Sequence, residues 1–555
     1  MEKLWLAQYP EHVPHEVDLS PYQSLQDLFL QSTKQFADLP AFANMGKTLS
    51  YSDMERLTRQ FAAYLRHEAG LQPGDRIAIM MPNLLQYPVV LFAAFRAGLI
   101  VVNTNPLYTE RELKHQLNDS GAKAIVILEN FAHTLESVLP ETPVQTVITT
   151  KIADMIGGAK GMLINFVVQY IKKMVPKFSL PTAIPFNQVL AKGAQHDFTD
   201  AELKPEDVAF LQYTGGTTGV SKGATLSHIN ILANLLQADA WTSRDLETGK
   251  EVFITALPLY HVFALTGNAL FAVKIGAKNI LITNPRDLPA FIKELKKEPF
   301  SFISGVNTLF NAMLNTPGIE EVDFSRLKIA LGGGMAVQKS VAERWKEVTG
   351  ATLLEAYGLS ETSPAVSINP VDLEGYNGMI GLPVPSTEVC VRDADGNELP
   401  VGEAGELCVR GPQVMQGYWQ RPEETAKVID ADGWFRTGDV AIINDQGYIK
   451  LVDRIKDMVL VSGFNVYPNE VEDVLAAHPK VLEAGVIGVP DTGSGEVVKA
   501  YVVKNDDSLT EAELIGWCKE GLTGYKCPKQ YAFVDDLPKS NVGKILRREL
   551  RDLET

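Results

Sequence analysis

The chain has 555 residues, 45% of them hydrophobic and 21% charged, with a net charge of −17 at pH 7. That length exceeds what a single hydrophobic core fills, so two or more domains are expected. The acidic balance excludes a surface built to grip nucleic-acid phosphates, although a basic pocket for a small anion can still sit inside an acidic protein.

The first ten residues, Met1 to Pro10, hold neither a long apolar core nor a small-residue cleavage site, so no signal peptide is read. Ser52 and Glu55 have capping-box spacing, and Met54, Leu57, Phe61 and Leu65 then recur at helical intervals until Gly70. A short apolar strand follows at Arg76 to Met81, then a helical stretch from Leu85 to Arg96, then strands at Leu99 to Val102 and Ala124 to Leu128. The best apolar run, Pro88 to Val102, is interrupted by Arg96 and does not span a bilayer. Gly161 to Lys177 is apolar apart from the cluster Lys172, Lys173 and Lys177. It reads equally as an interfacial helix on anionic lipid and as a domain-packing helix or dimer contact.

Strand–helix alternation resumes at Val208 to Tyr213, Val252 to Leu257 and Lys328 to Leu331, which implies a doubly wound α/β body with a largely parallel sheet. After about Gly381 short β-rich pieces such as Glu406 to Arg410 alternate with Asp395-Gly396, Asp432-Gly433 and Gln446-Gly447 turns, as in a small antiparallel barrel or sheet. Past Asp453 mixed α/β returns, with a helix from Asn469 to His478 and a strand from Ala484 to Val489. Cys390, Cys408, Cys518 and Cys527 form no C-x-x-C pair and read as reduced structural thiols of a cytosolic protein.

The central chemical signal is Tyr213-Thr-Gly-Gly-Thr-Thr-Gly-Val-Ser-Lys-Gly223, after an apolar strand and before the helical pattern Ser227 to Ala238. Glycines let backbone N–H groups converge on an anion, and the hydroxyls of Thr214, Thr217, Thr218 and Ser221 add donors. It is a phosphate cradle of a different kind from the P-loop, because Gly223 follows Lys222.

This run resembles the signature loop of the adenylate-forming superfamily of acyl-CoA synthetases, luciferases and adenylation domains. Further motifs similar to that family follow in its order: Ala256 to His261 beside the acyl pocket, Gly332-Gly333-Gly334 and Tyr357 to Glu361 around adenine, Trp434 to Asp439 at the ribose, Asp453 to Asp457 at the hinge, and Pro538 to Lys544 with the catalytic lysine. Pro82 to Pro88, Asn105 to Tyr108, Thr283 to Asp287 and Gly524 to Lys526 resemble the bacterial long-chain fatty acid–CoA ligase branch.

The resemblance implies an α/β fold with a large N-terminal domain (1–452) of doubly wound subdomains plus a small β-barrel. A hinge (453–458) then leads to a small mobile α+β C-terminal domain (459–555). It implies ATP, Mg2+ and coenzyme A as reactants or cofactor, and a fatty acid as the acid. ATP and AMP would meet Thr214, Gly215, Gly216, Thr217, Thr218, Gly219, Lys222, Gly332, Gly333, Gly334, Tyr357, Gly358, Asp439 and Arg454. Glu361 and Thr214 would hold Mg2+, and Lys544 would bridge carboxylate and α-phosphate. Lys456 would be the pivot, Gly463 would clear the pantetheine path, and His261, Val262 and Phe263 would line the acyl pocket. Taken alone, Lys544, Arg547, Arg548 and Arg551 look like one basic helix face.

Amino-acid-activating relatives carry an acid after the Pro-Leu-Tyr-His region, whereas Val262 to Asn268 carries none, which favours an apolar acid. A short-chain or aryl-acid ligase, a peptide-synthetase module and a non-catalytic acyl-adenylate sensor stay open as alternatives. The expected location is the cytoplasm, with contact to the inner membrane and homodimerisation both left open.

Overall fold

The computed structural model describes residues 2–214, 221–491, 493–540 and 543–554. Two large sheets carry most of the chain. In the eight-stranded sheet Val208–Thr214, Ile100–Asn103, Arg76–Met80, Ala124–Leu128 and Thr146–Thr150 are successive parallel neighbours. In the nine-stranded sheet Leu353–Gly358, Ile329–Gly332, Phe302–Gly305, Val252–Thr255 and Lys278–Leu281 are likewise parallel. These strands read as unbroken apolar runs because both faces are covered: Ala124 to Leu128 are buried without exception. One continuous core joins Ile77, Ile79 and Phe210 of the first sheet to Phe253, Leu281 and Phe302 of the second. The helix Gln86–Arg96, buried along its whole length, contributes to that core.

Arg96 is the cation that breaks the apolar run, and the fold satisfies it internally. Its Nε donates to Asp200 at 2.6 Å, and its Nη1 donates to the Glu55 carbonyl at 2.9 Å and to Thr58 Oγ1 at 3.1 Å. No helix of the described residues is long and apolar enough to cross a membrane.

Three expectations need correction. The helix Tyr51–His67 is capped by Ser50 and Asp53, two residues before the Ser52–Glu55 pair. The strand Lys47–Ser50 runs straight into it, and burial of Tyr51, whose hydroxyl donates to the Ala277 carbonyl at 2.9 Å, fixes the helix start one residue before Ser52. The piece read as an antiparallel barrel or sheet, and implied by the resemblance to be a barrel, is a four-stranded sheet of Glu388–Arg392, Ala404–Arg410, Phe435–Ile443 and Ile449–Arg454. No pairing among the described residues closes its first strand onto its last. The third correction concerns Gly161 to Lys177 as a packing helix. The α-helix Gly158–Phe166 continues into a π-helical turn, Val167–Ile171, and buries only Gly161. Met162, Leu163, Phe166, Tyr170, Ile171 and Met174 are 53–70% exposed, six of the fourteen exposed large apolar side chains among the described residues.

Beyond Arg454 lies a further sheet, in which Val481–Asp491 and Gly495–Lys504 pair over most of their length. The helices Pro468–Ala476 and Glu511–Gly521 cover it, and Val466, Val471, Leu475, Val486 and Leu514 form a core of their own. All four cysteines are free and buried.

Candidate active site

The signature run was expected to join strand to helix. The structure inserts a strand: Lys222–Ser227 returns antiparallel to Val208–Thr214, and only then does Ser227 cap the helix His228–Thr242. Thr214 and Lys222 therefore stand opposite each other at the mouth of a hairpin, with Ser221 Oγ donating to the Thr214 carbonyl at 2.6 Å. Gly215, Gly216, Thr217, Thr218 and Gly219 lie outside the described residues.

A segment without a role in the sequence reading completes this mouth. Gly417–Tyr418 adds a strand to Lys222–Ser227, and the Tyr418 hydroxyl donates to Glu361 Oε1 at 2.9 Å. Lys222 Nζ lies 4.8 Å above the Tyr418 ring and pairs with Glu424 at 2.6 Å. Arg421 donates to Asp119 Oδ1 at 2.6 Å while the Tyr213 hydroxyl donates to Asp119 Oδ2 at 2.7 Å, so Asp119 fastens this segment to the strand that leads into the signature run. Nothing local in the sequence announces that pairing. The one available signal was an aromatic pair, Tyr418-Trp419, between Gly417 and Pro422. Burial raises the pKa of the Glu361 carboxyl, and the Tyr418 hydroxyl and Arg454 charge partly oppose it.

The second wall comes from the small antiparallel sheet, where Asp439 and Arg454 are register partners. Arg454 Nε lies 3.1 Å from Asp439 Oδ1, and the Tyr357 hydroxyl donates to Asp439 Oδ2 at 2.6 Å. With Asp439 only 3% exposed, both of its oxygens are oriented before any ligand arrives. The glycines beside Tyr357 permit close packing. A Cβ on Gly333 would meet Phe263 Cε1 at 3.0 Å and the Ala356 carbonyl at 3.1 Å, and one on Gly358 would meet the Pro364 carbonyl at 2.1 Å. Gly332 ends the strand Ile329–Gly332, and Gly334 has a φ of +78°. Phe263 thus touches the glycine turn, next to the buried Val262 and to His261, whose Nδ1 accepts from the Phe263 N–H at 3.4 Å.

Lys544 enters on the loop between the strand Gln530–Val534 and the helix Arg547–Asp552. Ser540 holds its backbone on both sides: the Ser540 N–H donates to the Lys544 carbonyl at 2.7 Å and the Lys544 N–H donates to Ser540 Oγ at 3.1 Å. Thr308, in the nine-stranded body, donates to the Gly543 carbonyl at 3.0 Å. Burial pulls the Lys544 ammonium down to about 7, the cations Arg454, Arg547 and Lys456 add to that, and Asp439 opposes it. His261 is pulled down to about 4, chiefly by burial and then by the Lys544 charge. The structure therefore gathers Lys544, Arg454, Asp439, Tyr357 and His261. Lys456, in the turn after Arg454, adds its charge to that group, whereas Gly463 stands at the tip of the hairpin Val459–Val461 to Phe464–Val466. Gly463 has a φ of +85° and open space where a Cβ would stand. The basic-face reading of Lys544 is also corrected, because the last helix spans Arg547–Asp552 and Lys544 precedes it.

The chain belongs to the AMP-binding enzyme family, which it matches over residues 29–419, with the AMP-binding enzyme C-terminal domain matched over 470–544. It is 58% identical to a long-chain-fatty-acid–CoA ligase of Escherichia coli O6:H1, covering 100% of this chain and 98% of that one. It is 54% identical to a ligase of the same name from Haemophilus influenzae, covering 100% and 99%. In fold it is similar to the crystal structure of the anthranilate CoA ligase AuaEII in complex with anthranoyl-AMP, with a TM-score of 0.85 at 23% identity over 96% of this chain and 97% of that one.

Glu355, two residues before Tyr357, is buried and accepts from the Val337 N–H at 3.0 Å. Burial lifts its carboxyl from 4.5 to about 8. The folded state therefore holds a proton that the unfolded chain releases near 4.5, so this contribution to stability is complete below 4.5 and is lost as pH rises through about 8. Glu355→Gln is expected to flatten that alkaline loss, raising the thermal midpoint at pH 8.5 relative to wild type while leaving it nearly unchanged at pH 4.5.

Proposed function

We propose that the protein is a long-chain fatty acid–CoA ligase that works in two steps. The fatty acid and ATP give acyl-AMP and pyrophosphate; acyl-AMP and coenzyme A then give acyl-CoA and AMP. The observation that carries this reading is the meeting of Lys544 with Asp439, Arg454, Tyr357 and His261. A carboxylate and an α-phosphate repel each other, and a half-buried ammonium between the nucleotide side and the His261 side offsets charge where they meet. Asp439, already oriented by Tyr357 and Arg454, has lone pairs for the ribose hydroxyls. Phe263 against Gly333, with Val262, supplies an apolar wall on the acyl side. Family membership implies ATP and CoA use, and near-full-length likeness to long-chain ligases supports the acid.

Glu361, oriented by Tyr418, and the Thr214 hydroxyl are hard oxygen donors that suit Mg2+, an ion that completes its shell with waters and substrate phosphates. When bound it supplies neutralisation of polyphosphate charge.

The same proposal takes 1–452 as one body, 453–458 as a hinge about Lys456, and 459–555 as a second body that presents Lys544 or the Gly463 hairpin in turn. Two observations support it: Lys544 sits in the site while Phe464, beside Gly463, is 57% exposed and stacked on the half-buried ring of Tyr525. Lys544→Ala is expected to abolish acyl-AMP formation yet still convert supplied acyl-AMP, and Gly463→Leu to do the reverse, both remaining folded by circular dichroism. Loss of the same half-reaction in both variants contradicts the hinge. Across a panel of acids of rising length, AMP release with coenzyme A is expected to favour long-chain acids; higher kcat/KM with acetate or an aryl acid overturns the substrate.

We place the protein in the cytoplasm with peripheral contact to an anionic bilayer through Gly158 to Lys177. Its exposed apolar side chains adjoin the exposed Lys172, Lys173 and Lys177 in a chain of net charge −17. Each such cation near a charged surface contributes about 1 kcal/mol. Changing the three lysines to Glu together is expected to reduce binding to anionic vesicles while sparing activity on detergent-dispersed acid. Unchanged vesicle binding overturns the membrane reading, and loss of a dimer in its place identifies the surface as a contact between copies.

A further inference from the structure

Asp453 and Arg547 form a buried ion pair that crosses the hinge. Asp453 is the first residue of the 453–458 hinge segment, but it lies on the strand Ile449–Arg454, paired with Phe435–Ile443, and so stays with the body that carries Asp439 when the chain turns at Lys456. Arg547 begins the helix Arg547–Asp552, which packs on Val481–Asp491 of the other body. The guanidinium is shared between the two. Nε and Nη2 grip Glu472, on the helix Pro468–Ala476, at 3.0 and 2.7 Å, and Nη1 reaches Asp453 Oδ1 at 3.0 Å. Asp453 Oδ2 accepts the Asn469 N–H in the first turn of that same helix, at 2.8 Å. The Asp453 side chain is 1% exposed and that of Arg547 13%.

We propose that Arg547 is a positioning residue, an interdomain latch that holds Lys544 in the nucleotide site by pairing with Asp453. The proposal rests on the two-body reading above. Arg547 follows Lys544 by three residues, so the point that docks the small body also sets how deeply the lysine reaches. Rotation about Lys456 separates Asp453 from both Arg547 and Asn469, while Arg547 keeps Glu472, which travels with it. Removing the carboxylate charge therefore weakens the docked arrangement selectively, since a buried pair broken on one side loses far more than an exposed one. Arg547 Nη1 also lies 3.6 Å from Asp457 Oδ2, which Arg551 holds at 2.9 Å, and these three travel together beyond the pivot. Lys480 and Glu513, 2.8 Å apart within the small body, form an ion pair without Arg547 and provide the control.

Asp453→Asn keeps the size of the side chain and leaves Arg547 paired to Glu472. It is expected to slow acyl-AMP formation in single turnover by about tenfold, leave conversion of supplied acyl-AMP with coenzyme A unchanged or faster, and quicken protease cleavage in the turn after Arg454. Arg547→Gln added to it strips Glu472 of its partner within the small body and lowers stability, but is expected to shift the ratio of the two half-reactions little further, because the pair across the hinge is already broken. Lys480→Gln is expected to leave the ratio of the two half-reactions as in wild type. Equal loss of both half-reactions in Asp453→Asn, or the same split in Lys480→Gln, overturns the latch. If Lys544→Ala and Gly463→Leu separate the half-reactions and Asp453→Asn does not, the latch alone is wrong. If that first pair fails to separate them, the two-body reading falls with it.

Discussion

Everything in this molecule converges on the cost of placing one ammonium group. Lys544 is half-buried among Arg454, Arg547 and Lys456, with Asp439 as the opposing charge, and it is drawn down to about 7. Under the proposed function such a group, uncomfortable in the empty site, becomes favourable once anions arrive, as joining a carboxylate to a phosphate requires. The eight-stranded sheet supplies the hairpin mouth at Thr214 and Lys222, and the small antiparallel sheet supplies the buried Asp439. The loop between the strand Gln530–Val534 and the helix Arg547–Asp552 brings the cation.

That division explains why the site is assembled from distant segments. Asp439 is held by Tyr357, eighty-two positions earlier, and by Arg454, its cross-strand partner. Glu361 is steered by Tyr418, which depends on a strand added to the signature hairpin. Asp439 and Glu361 are both held by other side chains before the substrates bind, so little reorganisation of these carboxylates is left for the reaction.

The parallel body was legible because buried strands such as Ala124–Leu128 declare themselves as apolar runs, and the turns at Gly396, Gly433 and Gly447 because each adopts a positive φ. The residues of the site were legible only as motifs, by resemblance. What stayed hidden was non-local. The strand Lys222–Ser227 is made of small and polar residues and reads as the approach to a helix until its pairing partner is known. Tyr418 has no local pattern to mark it. Arg547 looked like one more surface cation, although Asp453, Glu472 and Asn469 surround it in space. The exposed face of Gly158 to Ile171 shows the converse, since its apolar composition alone could not separate a packing helix from a surface one.

The account stands on Lys544 acting as a cation in the first half-reaction. The most direct measurement is the pH dependence of kcat/KM for acyl-AMP formation in the wild type and in Lys544→Arg, whose side chain stays charged throughout. Because the free enzyme's lysine is depressed to about 7, the active ammonium form is lost as pH rises through that value. A falling alkaline limb near 7 in the wild type, absent from a slower Lys544→Arg enzyme, is the predicted result. The same limb in both proteins would contradict it.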